Sequence, residues 1–170
     1  YAGSGDGRVY AFDRATGAEL AAELGAASAD HLDHATPEDA AALAAGGVVA
    51  TLLPAASFSM RSLQAPGRML WDAGVTVAIA TDCNPGTSNV ESMPFVIVLA
   101  CLEMGLTAEE AVWAATLGGA KSLRLGDRGR IAAGAVADLV VLDAPSYSHI
   151  PYRPGTDLVW KVMKSGEWVE

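Results

Sequence analysis

The sequence is poor in basic residues and in cysteine, and each shortage excludes a class of protein. Its 11 lysine and arginine residues face 20 acidic ones, giving a net charge of −9. This balance argues against nucleic acid and anionic membranes as partners, because phosphate binding relies on clustered cations. The two cysteines, Cys83 and Cys101, form neither a disulfide framework nor a metal-type spacing. We therefore expect a cytoplasmic protein that acts on a small-molecule substrate.

Long hydrophobic runs are also missing. The longest apolar stretch, 94–102, is too short to span a bilayer, because a membrane helix needs about 20 residues. The first residues show no signal-peptide pattern, and the sequence starts at Tyr1 rather than at methionine. We expect a soluble protein that is part of a longer one. Hydrophobic residues make up 51% of the 170 residues, enough for one ordered domain.

From residue 19 onward, strand-like and helical patterns alternate, as in stacked βα units. Thr36 and Pro37 form a helix start, and Thr107 with Glu110 forms a capping box. Ser165 precedes a glycine at a hairpin turn. The sequence predicts helices near 36–47, 66–73, 93–105 and 107–123, apolar strands at 48–54 and 75–81, and a β-rich segment from 129.

The apolar run 75–80 meets a polar loop at Asp82. The run is continuous and rich in β-branched residues, which is typical of a strand that is buried on both faces. The loop 82–88 contains asparagine, proline and glycine, which favour tight turns. In βα architectures, ligands bind at the carboxyl ends of parallel strands, so Asp82 could hold a metal or act as a base. A loop-bracing or helix-capping aspartate explains the residue types equally well.

Three segments resemble the imidazolonepropionases, metal-dependent hydrolases of the amidohydrolase superfamily. They are 28–60, 80–123 and 129–155. SADHL followed at this distance by ATDCNPGTS is the specific part of the resemblance, whereas ADLVV is common to many amidohydrolases. The resemblance implies an α/β fold: the C-terminal part of a metal-dependent (β/α)8 TIM barrel over 19–125, incomplete in this chain, and part of a small β-sandwich over 126–170.

The resemblance also implies a reaction and a set of site residues. The family hydrolyses the cyclic amide 4-imidazolone-5-propanoate to N-formimidoyl-glutamate in histidine degradation. Asp82 matches a metal ligand that also accepts a proton from metal-bound water. His31 matches a histidine that polarises the ring carbonyl or orients water, although a histidine taken alone is more often structural. Asn84, Gly86 and Thr87 match substrate contacts.

The implied cofactor is one divalent metal, zinc or iron, and both suit histidine and carboxylate ligands. The sequence has three histidines and none at His-x-His spacing, so the family's other metal ligands are missing from this chain. His34 and His149 are interpreted as structural or solvated. We therefore expect the chain alone to be inactive. Exposed strand edges on a partial barrel make a homodimer possible.

The first 20 residues resemble a blade repeat of a quinoprotein-like β-propeller. GSGDGRVYAFDRATG contains two short strand-like runs and their turns. We predict that 1–18 forms a hairpin foreign to the barrel, joined by gene fusion or faulty assembly. Two alternatives to the main hypothesis stay open: a related amidohydrolase that acts on another cyclic amide or amidine, and a non-catalytic truncated or fused chain.

Overall fold

The structure is a computed structural model that describes residues 2–3, 9–10 and 17–169. The strands are β1 (Ala2–Gly3), β2 (Val9–Tyr10), β3 (Ser28–Asp30), β4 (Val49–Leu52), β5 (Val77–Ile79), β6 (Leu139–Leu142), β7 (Val159–Lys164) and β8 (Glu167–Trp168). The helices are α1 (Gly17–Glu23), α2 (Pro37–Gly46), α3 (Pro54–Met60), α4 (Gly67–Asp72), α5 (Met93–Glu103), α6 (Ala108–Trp113), α7 (Gly119–Ser122) and α8 (His149–Tyr152). Among the described residues, none of these helices has the length and apolar character needed to cross a membrane.

The strands β3, β4 and β5 form a parallel sheet in that order. Ser28 lies opposite Val49, and Thr51 lies opposite Ala78. Parallel neighbours require a crossover, which α2 provides between β3 and β4, and α3 with α4 between β4 and β5. The predicted βα alternation is therefore confirmed, although the strands are shorter than the apolar runs.

The hydrophobic core lies between this sheet and the helices packed on it. Leu52 on β4, Val77 on β5 and Leu70 on α4 are fully buried, as are Leu43 on α2 and Val96 on α5. Burial of β4 and β5 explains why their sequences are continuous apolar runs rather than alternating ones. The buried sheet thus supports the loops at its edge.

Local signals set the ends of α2 as predicted. The Thr36 hydroxyl accepts a hydrogen bond from the Asp39 amide at 3.2 Å, and the Asp39 carboxylate accepts one from the Thr36 amide at 2.9 Å. Pro37 occupies the first turn, where a missing N–H costs nothing. Gly47 ends the helix at φ 63°, a left-handed conformation that favours glycine.

The helix predicted over 107–123 is confirmed, because 108–122 is helical throughout, but its middle is not a regular α-helix. The capping box between Thr107 and Glu110 is present and starts α6, but 114–118 forms a π-helical turn before α7. At this turn the Thr116 hydroxyl donates to the Val112 carbonyl at 2.8 Å, a local bond that competes with regular helix geometry. Gly118 lies against the backbone of β5 at Val77. The π-helical turn therefore lies where the helix packs most closely on the sheet.

The C-terminal strands β6, β7 and β8 form an antiparallel sheet. Ser165 and Gly166 join β7 to β8 with φ 52° and 87°, which confirms the predicted hairpin turn. Asp138 fixes this turn, because its carboxylate accepts hydrogen bonds from the Ser165 amide at 2.9 Å and the Lys164 ammonium at 2.7 Å. The β-rich prediction is too long at its start, since 129–138 forms turns rather than strand.

Most of the hairpin predicted over 1–18 lies outside the described residues. Within them, β1 and β2 pair antiparallel, with Ala2 opposite Tyr10, in a two-stranded sheet separate from the parallel one. The propeller-like character of this segment stays a prediction.

A candidate active site at the carboxyl ends of the parallel strands

The two residues predicted to be catalytic follow the outer strands of the parallel sheet at the same edge. His31 comes directly after β3, and its amide donates to the Thr51 carbonyl of β4 at 3.0 Å. Asp82 follows β5 after two residues, and the Ala80 amide donates to the Leu52 carbonyl at 3.1 Å. Both segments are therefore attached to the end of the central strand β4. Both side chains are half-buried, and neither hydrogen-bonds to another described residue.

The backbone adopts a strained conformation at both positions. His31, Leu32 and Asp82 have φ of 68°, 61° and 49°. For residues other than glycine this left-handed region costs on the order of 1–3 kcal/mol each and persists only where the surroundings enforce it. Such strain is concentrated at functional sites. Three of the six described non-glycine residues with positive φ lie at this edge, where their surroundings hold the backbone in this conformation.

The predicted substrate contacts lie together in the loop after Asp82, where they bond to one another. The Asn84 side-chain oxygen accepts from the Gly86 and Thr87 amides, both at 2.8 Å. Its side-chain NH2 group donates to the Asp82 carbonyl at 2.7 Å and to the Thr87 hydroxyl at 2.9 Å. The Asn84 amide donates to the Ser88 carbonyl at 2.8 Å, which closes the loop. Substrate binding by these residues stays a prediction.

Asp30, the last residue of β3, is a third acidic or basic group at this edge, and the sequence reasoning missed it. The Ser28 hydroxyl donates to its carboxylate at 3.1 Å. Burial raises the pKa of Asp30, and the negative charge of Asp82 adds to this, while Ser28, Thr51 and His31 act in the opposite direction. The sequence signal for Asp30 was its position directly before His31 in the SADHL motif.

The described residues do not by themselves form a metal centre. They contain no group of three or more histidine, cysteine, aspartate or glutamate side chains arranged to hold a metal ion. A catalytic zinc site takes three protein ligands and an open position. Asp82 can supply one carboxylate. His34 is exposed ahead of α2, and His149 begins α8 with its ring 5.9 Å from that of Tyr152, so the other two histidines lie in other elements.

Comparison with known proteins defines the class. The amidohydrolase family model matches residues 9–169, and the chain belongs to this family. The match begins inside the segment predicted to be foreign, so the boundary at residue 18 stays a prediction. A crystal structure of an adenosine deaminase from Xanthomonas campestris with bound zinc superimposes with a TM-score of 0.75 at 29% identity, over 83% of this chain and 36% of that one. Guanine deaminase of E. coli shares the fold, with a TM-score of 0.68 over 84% of this chain and 38% of its own.

Within the family, the chain is most informatively compared with curated imidazolonepropionases. It is 58% identical to that of Mycolicibacterium smegmatis and 57% identical to that of Streptomyces griseus, each over 90% of this chain and 39% of the relative. The chain thus spans about two fifths of the length of the curated relatives that it matches. The resemblance found in the sequence motifs is confirmed.

Proposed function

We propose that the chain is the C-terminal part of an imidazolonepropionase, which hydrolyses 4-imidazolone-5-propanoate to N-formimidoyl-glutamate in histidine degradation. The observation that carries this proposal is the identity of 52–58% to proteins of that name along about nine tenths of this chain. The location of SADHL and ATDCNPGTS at one edge of a parallel sheet supports it. In the reaction, water attacks the ring carbonyl and the ring C–N bond breaks.

The architecture that we propose is an arc of a (β/α)8 barrel that this chain does not complete. The part of the chain that the structure describes has three parallel strands, β3, β4 and β5, whereas a closed barrel has eight and takes about 250 residues. Each is followed by helical segments, as the barrel pattern requires. We assign the antiparallel sheet of β6, β7 and β8 to a small β-sandwich.

The chain's own residues take separate roles in this proposal. His31 donates a hydrogen bond to the ring carbonyl, which polarises it toward attack. Asp82 accepts the proton that the attacking water loses, a task that suits a carboxylate within hydrogen-bond reach. Asn84, Gly86 and Thr87 form the wall that contacts the substrate.

We further propose one divalent metal, zinc or iron, as the cofactor of the whole enzyme, because an adenosine deaminase with bound zinc shares the fold. Bound near Asp82, such an ion would supply Lewis acidity and a more acidic water. One carboxylate does not hold it, so its other ligands must come from outside the described residues.

The test uses the chain joined, from residue 17 onward, to the part of the Mycolicibacterium smegmatis relative that precedes the matched region. We call this protein the completed enzyme. It should open the imidazolone ring, followed by loss of substrate absorbance and by detection of N-formimidoyl-glutamate. Asp82→Asn should abolish turnover, and His31→Gln should lower kcat about 10²–10⁴-fold, the usual contribution of a positioned proton-transfer group. His34→Gln, a change at an exposed histidine outside the site, is the control and should act like the wild type. Wild-type turnover that survives Asp82→Asn would contradict the assignment.

A second candidate is an amidohydrolase that acts on another cyclic amide or amidine. The likeness to the Xanthomonas campestris adenosine deaminase favours it. A panel of adenosine, guanine and simple cyclic amides, assayed with the same completed enzyme, separates the two. Turnover of a panel compound above that of imidazolone-propanoate would favour the second candidate.

A further inference from the structure

Large apolar side chains are exposed at the C-terminal ends of two neighbouring helices, α3 and α5. Four of them are 47–66% exposed: Phe58, Met60, Leu63 and Leu102. The two helices pack directly on each other, with the Phe58 and Phe95 rings edge to face at 5.6 Å. We call the surface formed by the four exposed side chains the α3–α5 patch. A group of exposed apolar side chains of this size marks an interaction site rather than ordinary surface.

A hollow between the two helices adds one charge of each sign to this patch. Arg61, directly after α3, and Glu103, the last residue of α5, both line the hollow together with Phe58. Both charged side chains are exposed, and neither forms an ion pair or a hydrogen bond with a described residue. The patch therefore combines apolar side chains with a free cation and a free anion.

This combination is self-complementary, which points to a second copy of the chain as the occupant. In a dimer with two-fold symmetry the same surface is used twice, so a contact from one residue to another is repeated in the reverse direction. Arg61 can thus pair with Glu103 of the partner subunit at two symmetric contacts while the apolar side chains cover each other. A partner of one dominant charge would instead place a like charge against Arg61 or Glu103.

We propose that the α3–α5 patch is the interface of a homodimer, in which Arg61 pairs with Glu103 of the partner subunit. The inference goes beyond the proposed reaction and does not rest on it. It assigns the contact between copies to helices rather than to the exposed strand edges considered from the sequence. In the barrel architecture proposed above, helices form the outer ring and the missing strands join at the edges of the sheet, so the patch stays accessible in the completed enzyme.

The first experiment reverses the two charges in the 170-residue chain and measures the dimer dissociation constant by analytical ultracentrifugation. Arg61→Glu and Glu103→Arg each place like charges opposite one another at both contacts. We expect each variant alone to raise the dissociation constant about 100-fold, from about tenfold at each contact. An equimolar mixture of the two variants should restore dimers close to wild-type strength, because both contacts of the mixed dimer join opposite charges.

Mixing separates this interface from an ion pair within one chain, which mixing would not restore. A mixture that associates no more tightly than either variant alone would overturn the proposal, as would a monomeric wild type.

The second experiment changes the apolar part of the patch. Leu102→Asp should raise the dissociation constant at least about tenfold, because it places a charge in the buried centre of the interface. Leu24→Asp is the matched control, since Leu24 is 56% exposed just after α1, outside the patch, and it should associate like the wild type. A far-ultraviolet circular dichroism spectrum like that of the wild type shows that each variant is folded. Unchanged association of folded Leu102→Asp would overturn the proposal.

The same comparisons in the completed enzyme distinguish a second copy from the missing part of the enzyme as the occupant. We expect a dimer with the same response to charge reversal and to mixing. A monomeric completed enzyme would show that its added part covers the patch, and would overturn the proposal. These measurements do not require turnover, so a failure of the proposed function and a failure of this inference are distinguishable.

Discussion

Gly118→Ala should disrupt the strand that carries the candidate site. Gly118 is buried in the π-helical turn, and a Cβ added there would overlap the carbonyl oxygen of Val77 on β5. It would also lie 3.2 Å from the Val77 carbonyl carbon and 3.3 Å from the Ala78 Cα. These are backbone atoms of a paired strand, which cannot move aside as the end of a flexible side chain can. Either the turn or β5, and with it Asp82, must shift.

The adjacent glycine provides the matched control. The nearest atom to a Cβ at Gly119 is the Ala114 oxygen at 3.9 Å, an ordinary contact, and its φ of −59° is helical. Gly119→Ala should therefore raise the free energy of unfolding by about 0.5–1 kcal/mol, the usual helix-propensity gain. Gly118→Ala should lower it by about 1–3 kcal/mol or more, the usual cost of overpacking.

Urea unfolding measures both variants, with circular dichroism and tryptophan fluorescence as probes. Trp71 and Trp113 pack edge to face at 5.5 Å and report on the α4–α6 contact beside the turn. Equal midpoints for Gly118→Ala and Gly119→Ala, with equal slopes, would show that the turn does not press on β5 and would refute this reasoning.

Two further predictions concern single groups. Burial raises the pKa of Asp30 above its ordinary value of 3.8, so the ionised carboxylate destabilises the fold. The protein therefore has no penalty from Asp30 below pH 3.8, and it loses stability as pH rises through the raised pKa. Asp30→Asn should therefore increase the free energy of unfolding at pH 7 but not at pH 3, and an equal gain at both pH values would contradict this. Cys83 is exposed, whereas burial raises the pKa of the half-buried Cys101. Titration with a thiol reagent should give a fast phase from Cys83 and a phase about tenfold slower or more from Cys101. Cys83→Ser should remove the fast phase, and loss of the slow phase in this variant would contradict the assignment.

Features set by neighbouring residues were predictable from the sequence. Thr36 and Thr107 start helices because a hydroxyl captures a free amide within the same turn. The hairpin at Ser165 follows from the conformational freedom of the glycine after it. The position of Asp82 at a strand end followed from where the apolar run stops, and the family from two motifs around His31 and Asp82.

Features set by distant contacts were not predictable in the same way. The π-helical turn depends on how closely Gly118 approaches Val77, and nothing in the local helical pattern reports that contact. The raised pKa of Asp30 depends on burial and, to a smaller extent, on the charge of Asp82, which lies in the loop after another strand. The motif predicted Asn84 as a substrate contact, but the hydrogen bonds that Asn84 makes within its own loop are visible only in three dimensions.

The central claim is that this chain carries part of an amidohydrolase site and depends on the rest of the enzyme for metal and turnover. The most direct measurement compares the 170-residue chain with the completed enzyme, recording metal content per chain and the rate of imidazolone-propanoate hydrolysis under the same conditions. We predict no tightly bound metal and no turnover in the chain alone, because Asp82 is one ligand where about three are needed. In the completed enzyme we predict one divalent metal per chain and turnover that Asp82→Asn abolishes. Stoichiometric metal and steady turnover in the purified 170-residue chain would contradict the account.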